Sequence, residues 1–403
     1  MLRRSFNVLM LSAGLALASF SAAIAEEPVR IGVSASKTGP LSGGAAGVLW
    51  PNIKLWVDKV NKSGGLKVGD RKRPIEIVEY DDKSTPEEAV KNIQRLATQD
   101  KVDLIIPPYS TGLNLATAPL IAKYGYPQIV STGNANDLDK FVKRWPNTFW
   151  LLGPAQGIAD GIVGTLKDLH DTGKMIGNKV AVVNVSDAFG LEMIKTGKPA
   201  LKQAGFDIVY ESSYPLGNQD LAPVIAGAKA ANADAFVAYS YPPDSFALTE
   251  QAQLQKFDPK AFFVSVGGNL DAYGKRFGAA ANGILIMGGV NAGDPVFQAY
   301  RKEHLEATGQ EADWWASPVA YASLEILQQA VERVGSLDKM ALNKEIQTGT
   351  FKTVLGDVHF EDNINNNNWT VGQWSGGVVH GVRATGNLQG AQQPVLKPAW
   401  PAN

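Results

Sequence analysis

The stretch VDLIIPPYSTG, residues 102–112, decides how the chain is read. Asp103 to Ile106 is a short apolar run that stops against Pro107 and Pro108. A run this short and this apolar suits a strand covered on both faces, as in a parallel sheet. Tyr109, Ser110, Thr111 and Gly112 follow at once, groups that turn the chain and offer hydrogen bonds. In open parallel sheets ligands sit beyond the carboxyl ends of the strands, where helix N-termini present free N–H groups. The stretch therefore predicts a parallel sheet with a holding place at its edge.

The same arrangement recurs on either side. The next strand, Gln128–Val130, runs into Ser131, Thr132, Gly133 and Asn134, while a helix around Leu113–Ala122 separates the two loops. A carboxylate between these loops would accept charge-assisted bonds from Ser110, Thr111, Ser131 and Thr132, with Gly133 allowing close approach. Upstream, Thr85, Pro86 and Glu88 mark the start of a helix over Glu87–Gln99, with a capping box. Further strands are predicted at Val29–Val33, Ile75–Tyr80, Val180–Val183, Ile208–Glu211, Ala235–Ala238, Phe262–Val264 and Ile284–Met287. Strands alternating with helices over this length mean βαβ units, an α/β protein with helices on both faces of parallel sheets.

A faint repeat points to two similar lobes. The intervals Ile75–Leu104 and Ile208–Phe236 each hold one helix, and the second strands, VDLIIPPYS and ADAFVAYSYPP, share Asp, Tyr, Ser and Pro in order. The chain is 403 residues long, which suits more than one core. Its 38 basic and 39 acidic side chains leave a net charge of −1, so no broad field favours nucleic acid or an anionic membrane. Arg3 and Arg4, an apolar run from Val8 to Phe20 and the small residues Ala23-Ile24-Ala25 read as a secretory signal peptide over residues 1–25. Export by either the general or the twin-arginine route is compatible with these residues. Cysteine is absent, which removes disulfides, thiolate metal sites and thiol nucleophiles.

Catalytic patterns are missing. No GxGxxG follows a strand, and Asp70 and Arg71 stand where a phosphate-binding loop needs Lys and Ser or Thr. NKSGGLKVGDRKRP, residues 61–74, reads as a basic surface turn. The four histidines are scattered, with no HExxH and no GxSxG elsewhere. The expectation is a binding protein, not an enzyme, with no cofactor and no metal. Trp50, after the Gly-rich loop TGPLSGGAAG, is a candidate to line a cleft, whereas Trp314, Trp315, Trp369 and Trp374 read as core or hinge.

Taken in order, RIGVSASKTGPLSG, VNKSGGL, IEIVEYDDKSTPEEAVKNIQRLATQDKVDLIIPPYST, VAVVNVSDAFGLEM and NGILIM resemble the periplasmic solute-binding proteins of branched-chain amino acid ABC importers. The resemblance implies the type I fold, two doubly wound lobes joined by three hinge crossings that close on a ligand. Lobe one would be residues 27–149 plus 292–355, and lobe two residues 150–291 plus 356–403. It implies ligand contacts at Ser110, Ser131, Thr132 and Gly133, at Phe189 and at Tyr241 or Tyr239, with Gly44 where the family often has an aromatic residue. It also implies an acid for the amino acid's ammonium within Phe263–Gly268, a segment that here contains none. Asp244 is the nearest substitute, although a Pro-Pro-Asp turn is a common structural device.

The expected function is that of a periplasmic binding component, which binds without chemistry and hands a branched-chain amino acid or related small carboxylate to a membrane permease. The partners are then that ligand and the permease, with the protein a monomer. Aromatic or aliphatic carboxylates without an ammonium are the alternative ligands, and a ligand-sensing ectodomain is the alternative role.

Overall fold

A computed structural model describes residues 26–173 and 177–401. The signal peptide expected over residues 1–25 lies outside the described residues. Strand Val29–Ala35 is buried at every position but Arg30. It pairs in parallel with Ile75–Asp81 on one side and Leu104–Ile106 on the other, Val29 opposite Ile75 and Ile31 opposite Leu104. Gln128–Val130 and Thr148–Trp150 add a further parallel pair. The helix after Thr85 spans Pro86–Thr98, and the Thr85 hydroxyl accepts from Glu88 N at 3.4 Å. The return bond of a capping box is not made, because the Glu88 carboxylate turns to Lys91 at 2.7 Å.

The second sheet has seven strands, in the order Val378–Ala384, Trp369–Ser375, Leu285–Met287, Ala261–Val264, Ala235–Tyr239, Lys179–Val185, Asp207–Tyr214. The faint repeat turns out to be a repeat of strand order. In each sheet the first strand of the unit is flanked by the second and the third, Val29–Ala35 in one and Lys179–Val185 in the other. Phe236, Phe262 and Phe263 are fully buried here, each contributing roughly 1.5–3 kcal/mol by leaving water.

Three hairpins depart from the parallel expectation, one of them Thr350–Thr353 against Gly356–His359. Trp369–Ser375 and Val378–Ala384 run antiparallel. Gly376 and Gly377 between them both have positive φ, which a tight hairpin turn requires. The basic segment expected as a surface turn is a small hairpin, Leu66–Val68 against Arg71–Arg73.

After the second sheet the chain returns to the first. Helices Pro295–Thr308 and Ala316–Val334 pack on helix Trp50–Lys62. Tyr300 Oη donates to Asn52 Oδ1 at 2.7 Å, and Trp56 Nε1 donates to Gln328 Oε1 at 2.9 Å. Three segments cross between the sheets, around Leu151, Gly289 and Asn365. The first and the third are bonded to one another: Trp150 N donates to Asn363 O at 2.8 Å and Asn365 Nδ2 to Leu151 O at 2.9 Å. Among the described residues no helix is long and apolar enough to cross a membrane.

Candidate ligand-binding cleft

The loops after Ile106 and Val130 are tied to one another before any ligand arrives. Ser110 holds a positive φ of 82°, costly for a residue with a Cβ. The buried Asn114 pins that turn, its amide donating to Pro108 O at 2.7 Å and Ser110 O at 2.9 Å. Ser110 Oγ accepts from Leu113 N at 3.4 Å and so caps helix Thr111–Lys123. Thr111 Oγ1 donates to Asn134 O and accepts from Asn134 N, both at 3.1 Å. Thr132 Oγ1 donates to Pro108 O at 3.2 Å. A Cβ on Gly133 would lie 3.1 Å from Thr111 Cα, so the close approach of the two loops suits glycine. Ser131 is different: its hydroxyl makes no hydrogen bond among the described residues, and it faces the cleft.

The opposing wall comes from the second sheet. Asp187 caps helix Ala188–Gln203, accepting from Gly190 N at 3.0 Å, while Tyr241 Oη donates to its other oxygen at 2.9 Å. Burial pushes the Asp187 carboxyl above its usual range. Phe189 packs on Tyr241 with ring centres 5.3 Å apart, and Tyr109 reaches across from the first wall to 6.5 Å. Leu152, Val266, Met287, Trp315 and Ala316 complete the enclosure. The cavity between the walls is small, about 30 Å³. No residue lining it carries a charge.

The cleft is nearly shut because its rims touch. On one side Asn136 N donates to Glu192 Oε2 at 2.8 Å and Lys195 pairs with Asp137 at 3.2 Å. On the other, Asn269 Nδ2 donates to Asp313 Oδ1 at 2.8 Å and Arg301 pairs with Asp271 at 3.3 Å. Asp313 also accepts from the backbone of Trp315, Ala316 and Ser317, which fixes the start of helix Ala316–Val334.

The sequence-selected residues sort into two groups. Thr111, Ser131, Thr132, Gly133, Phe189 and Tyr241 line the cleft. Ser110 lies beside it, its hydroxyl capping its own helix and close to the Tyr241 phenol of the opposite wall. Gly44 does not open room for a ligand, because the Tyr109 phenol already fills the position its Cβ would take. Trp50 begins helix Trp50–Lys62, with the Lys37 ammonium 5.0 Å from its ring, and does not line the cleft. Tyr239 is buried against Gly197 of the neighbouring helix, as the last residue of its strand, whereas Tyr241 lies beyond the strand's end. Asp244 is structural: its carboxylate accepts from Tyr241 N at 3.1 Å, and burial pushes its pKa up to about 6. Sequence reasoning did not select Tyr109, Asn134, Leu152, Val266, Met287, Trp315 or Ala316. Tyr109 stood beside Ser110 in the opening stretch and was legible. Trp315, preceded by no strand, was not.

Comparison with known proteins agrees with this architecture. The chain is 24% identical over 374 residues to "Leu/Ile/Val-binding protein homolog 3" of Brucella melitensis, covering 90% of this chain and 95% of that one. Among solved structures it is similar to a Rhodopseudomonas palustris ABC transporter solute-binding protein in complex with benzoate, at TM-score 0.76 and 18% identity over 91% of this chain and 99% of the other. It is similar also to the branched-chain amino acid transporter substrate-binding protein LivJ of Streptococcus pneumoniae in complex with isoleucine, at TM-score 0.74 and 20% identity over 89% and 99%. These structural likenesses establish the fold, that of the type I periplasmic binding proteins. Residues 28–378 match the family model described as "Periplasmic binding protein", and with most of its length inside that match the chain belongs to this family.

Proposed function

We propose that the protein is the exported solute-binding component of an ABC importer and that its ligand is a small carboxylate bearing an aromatic or branched apolar group. One observation carries the ligand class: the cleft joins a wall of hydroxyl and N–H groups to a wall of aromatic rings and has no charged side chain in its lining. A carboxylate gains charge-assisted hydrogen bonds from Ser131 and the start of helix Thr111–Lys123. An ammonium gains no partner there, and burying one unpaired costs several kcal/mol. The apolar part of the ligand lies against Tyr109, Phe189 and Tyr241. The two lobes, residues 27–149 plus 292–355 and residues 150–291 plus 356–403, close over it, and a membrane permease receives the closed form. In this reading the leader is removed near Ala25 and the protein acts as a periplasmic monomer.

A second reading has one observation in its favour. The Asp187 carboxylate lies directly behind Tyr241, and a rotation of that phenol would expose an acid to the ammonium of a branched-chain amino acid. A thermal-shift panel separates the two. Benzoate is expected to raise the unfolding midpoint, a ligand at a hundred times its Kd adding about 2.7 kcal/mol, with leucine and isoleucine without effect. Stabilisation by leucine or isoleucine but not by benzoate overturns the first reading and assigns the ammonium to Asp187.

A further inference from the structure

A second cavity, of about 220 Å³, lies at the hinge behind the cleft. Among the described residues, Trp315 is the one side chain that lines both. Its backbone is fixed by the Asp313 carboxylate, which accepts from Trp315 N at 2.8 Å. Its ring is held differently. The indole lies flat on Gly288, whose φ of 79° and missing Cβ leave the space that the ring occupies. Among the described residues no hydrogen bond anchors the indole N–H, although the residue is only 5% exposed. Packing alone keeps this ring between the two spaces.

The chemistry behind the ring differs from the cleft. Asn291, Asn368 and Gln389 bring amides, Val290 and Val354 bring apolar surface, and Asp294 brings a carboxylate that also caps helix Pro295–Thr308. Neither lysine nor arginine lines it. Such a space accepts a neutral tail ending in a hydroxyl or amide and opposes a second carboxylate.

We propose that Trp315 is a partition that sets the length of the ligand, and that the hinge cavity is an extension subsite for a neutral, hydrogen-bonding tail. The proposal rests on the reading of the cleft as a carboxylate site. Removing the indole joins the two spaces, so a longer ligand keeps its carboxylate at Ser131 and runs its tail past position 315 toward the amides.

Titration calorimetry with three probes tests this: benzoate, 4-(3-hydroxypropyl)benzoate and 4-(2-carboxyethyl)benzoate. The wild-type protein is expected to bind benzoate and to bind both longer acids at least tenfold more weakly. Trp315→Ala is expected to bind the hydroxypropyl probe at least tenfold more tightly than wild type does, and to prefer it tenfold over the dicarboxylate. Trp315→Phe, which keeps a ring, is expected to restore much of the discrimination. Gly288→Ala, which evicts the indole without deleting it, is expected to admit the longer probe too, and it stands in for Trp315→Ala if that variant does not fold. Retained benzoate binding with no gain for the hydroxypropyl probe in either variant overturns the partition while leaving the cleft reading intact. Failure of wild type to bind any of the three acids overturns the cleft reading, and the extension with it.

Discussion

The two walls of the cleft are built in opposite ways. The wall from the first sheet is polar and tied down by its own hydrogen bonds, Asn114 to Ser110 and Thr111 to Asn134, before a ligand enters. The wall from the second sheet is aromatic, and its one acid is hidden, Asp187 covered by the Tyr241 phenol. Polar groups can be aimed at a ligand only if the loop that carries them is rigid, because a misplaced donor returns little of its desolvation cost. Rings need only to be packed. The difference predicts that changes in the first wall alter affinity, whereas changes beneath the second alter the fold.

The largest expected effect lies under the aromatic wall. A Cβ on Gly190 would overlap the Val185 carbonyl oxygen, a backbone atom that cannot move aside without disturbing the strand. Gly190→Ala should destabilise the protein by about 3 kcal/mol, measured by denaturant unfolding. Gly133→Ala in the polar wall meets Thr111 Cα at 3.1 Å, which a small shift relieves, and should weaken binding with the fold intact. Equal destabilisation by the two variants would break the contrast.

Next in size is the free hydroxyl. Ser131→Ala should weaken carboxylate binding by about tenfold to a hundredfold, the worth of a hydrogen bond to a charged group, with an unchanged unfolding midpoint. Ser110→Ala should do the reverse, costing about 1 kcal/mol of stability through the lost cap. Calorimetry and thermal unfolding on the two variants read both quantities, and an exchange of their roles would place the ligand on Ser110.

The smallest effect compares the lobes by pH. Burial raises the Asp244 carboxyl to about 6 in the second lobe and Glu325 to about 7 in the first. Both folded values exceed the ordinary ones, 3.8 and 4.5. The stability these groups contribute is therefore complete below pH 4 and is lost as pH rises through 6 and then 7. The unfolding midpoint should therefore fall as pH rises from about 4 to 7. Asp244→Asn should remove the part near pH 6 and Glu325→Gln the part near pH 7. A slope that survives both changes would assign it elsewhere.

The sequence by itself determined the α/β class, the positions of most of the parallel strands, and the polar wall. Val29–Ala35 and Leu104–Ile106 are legible because a strand covered on both faces is apolar throughout. Thr111 and Ser131–Gly133 are legible because residues that follow a parallel strand fall at the sheet's carboxyl edge by geometry alone. The antiparallel ending, Trp369–Ala384, carried a local signal in Gly376-Gly377 that the βαβ pattern obscured.

Only the tertiary structure decided the aromatic wall and the room inside the cleft. Tyr239 and Tyr241 differ by two residues, yet one is buried against Gly197 and the other faces the ligand space, because Tyr241 has left the strand. Gly44 looked like added room until the Tyr109 ring, from a loop 65 residues away in sequence, was found to fill it. Trp315 follows no strand, and its place at the cleft depends on Asp313, Gly288 and the return of a helix to the first sheet. Local preference places an element, but which side chains meet across a cleft is set by packing between segments far apart in the chain, where no local pattern in either segment records the other.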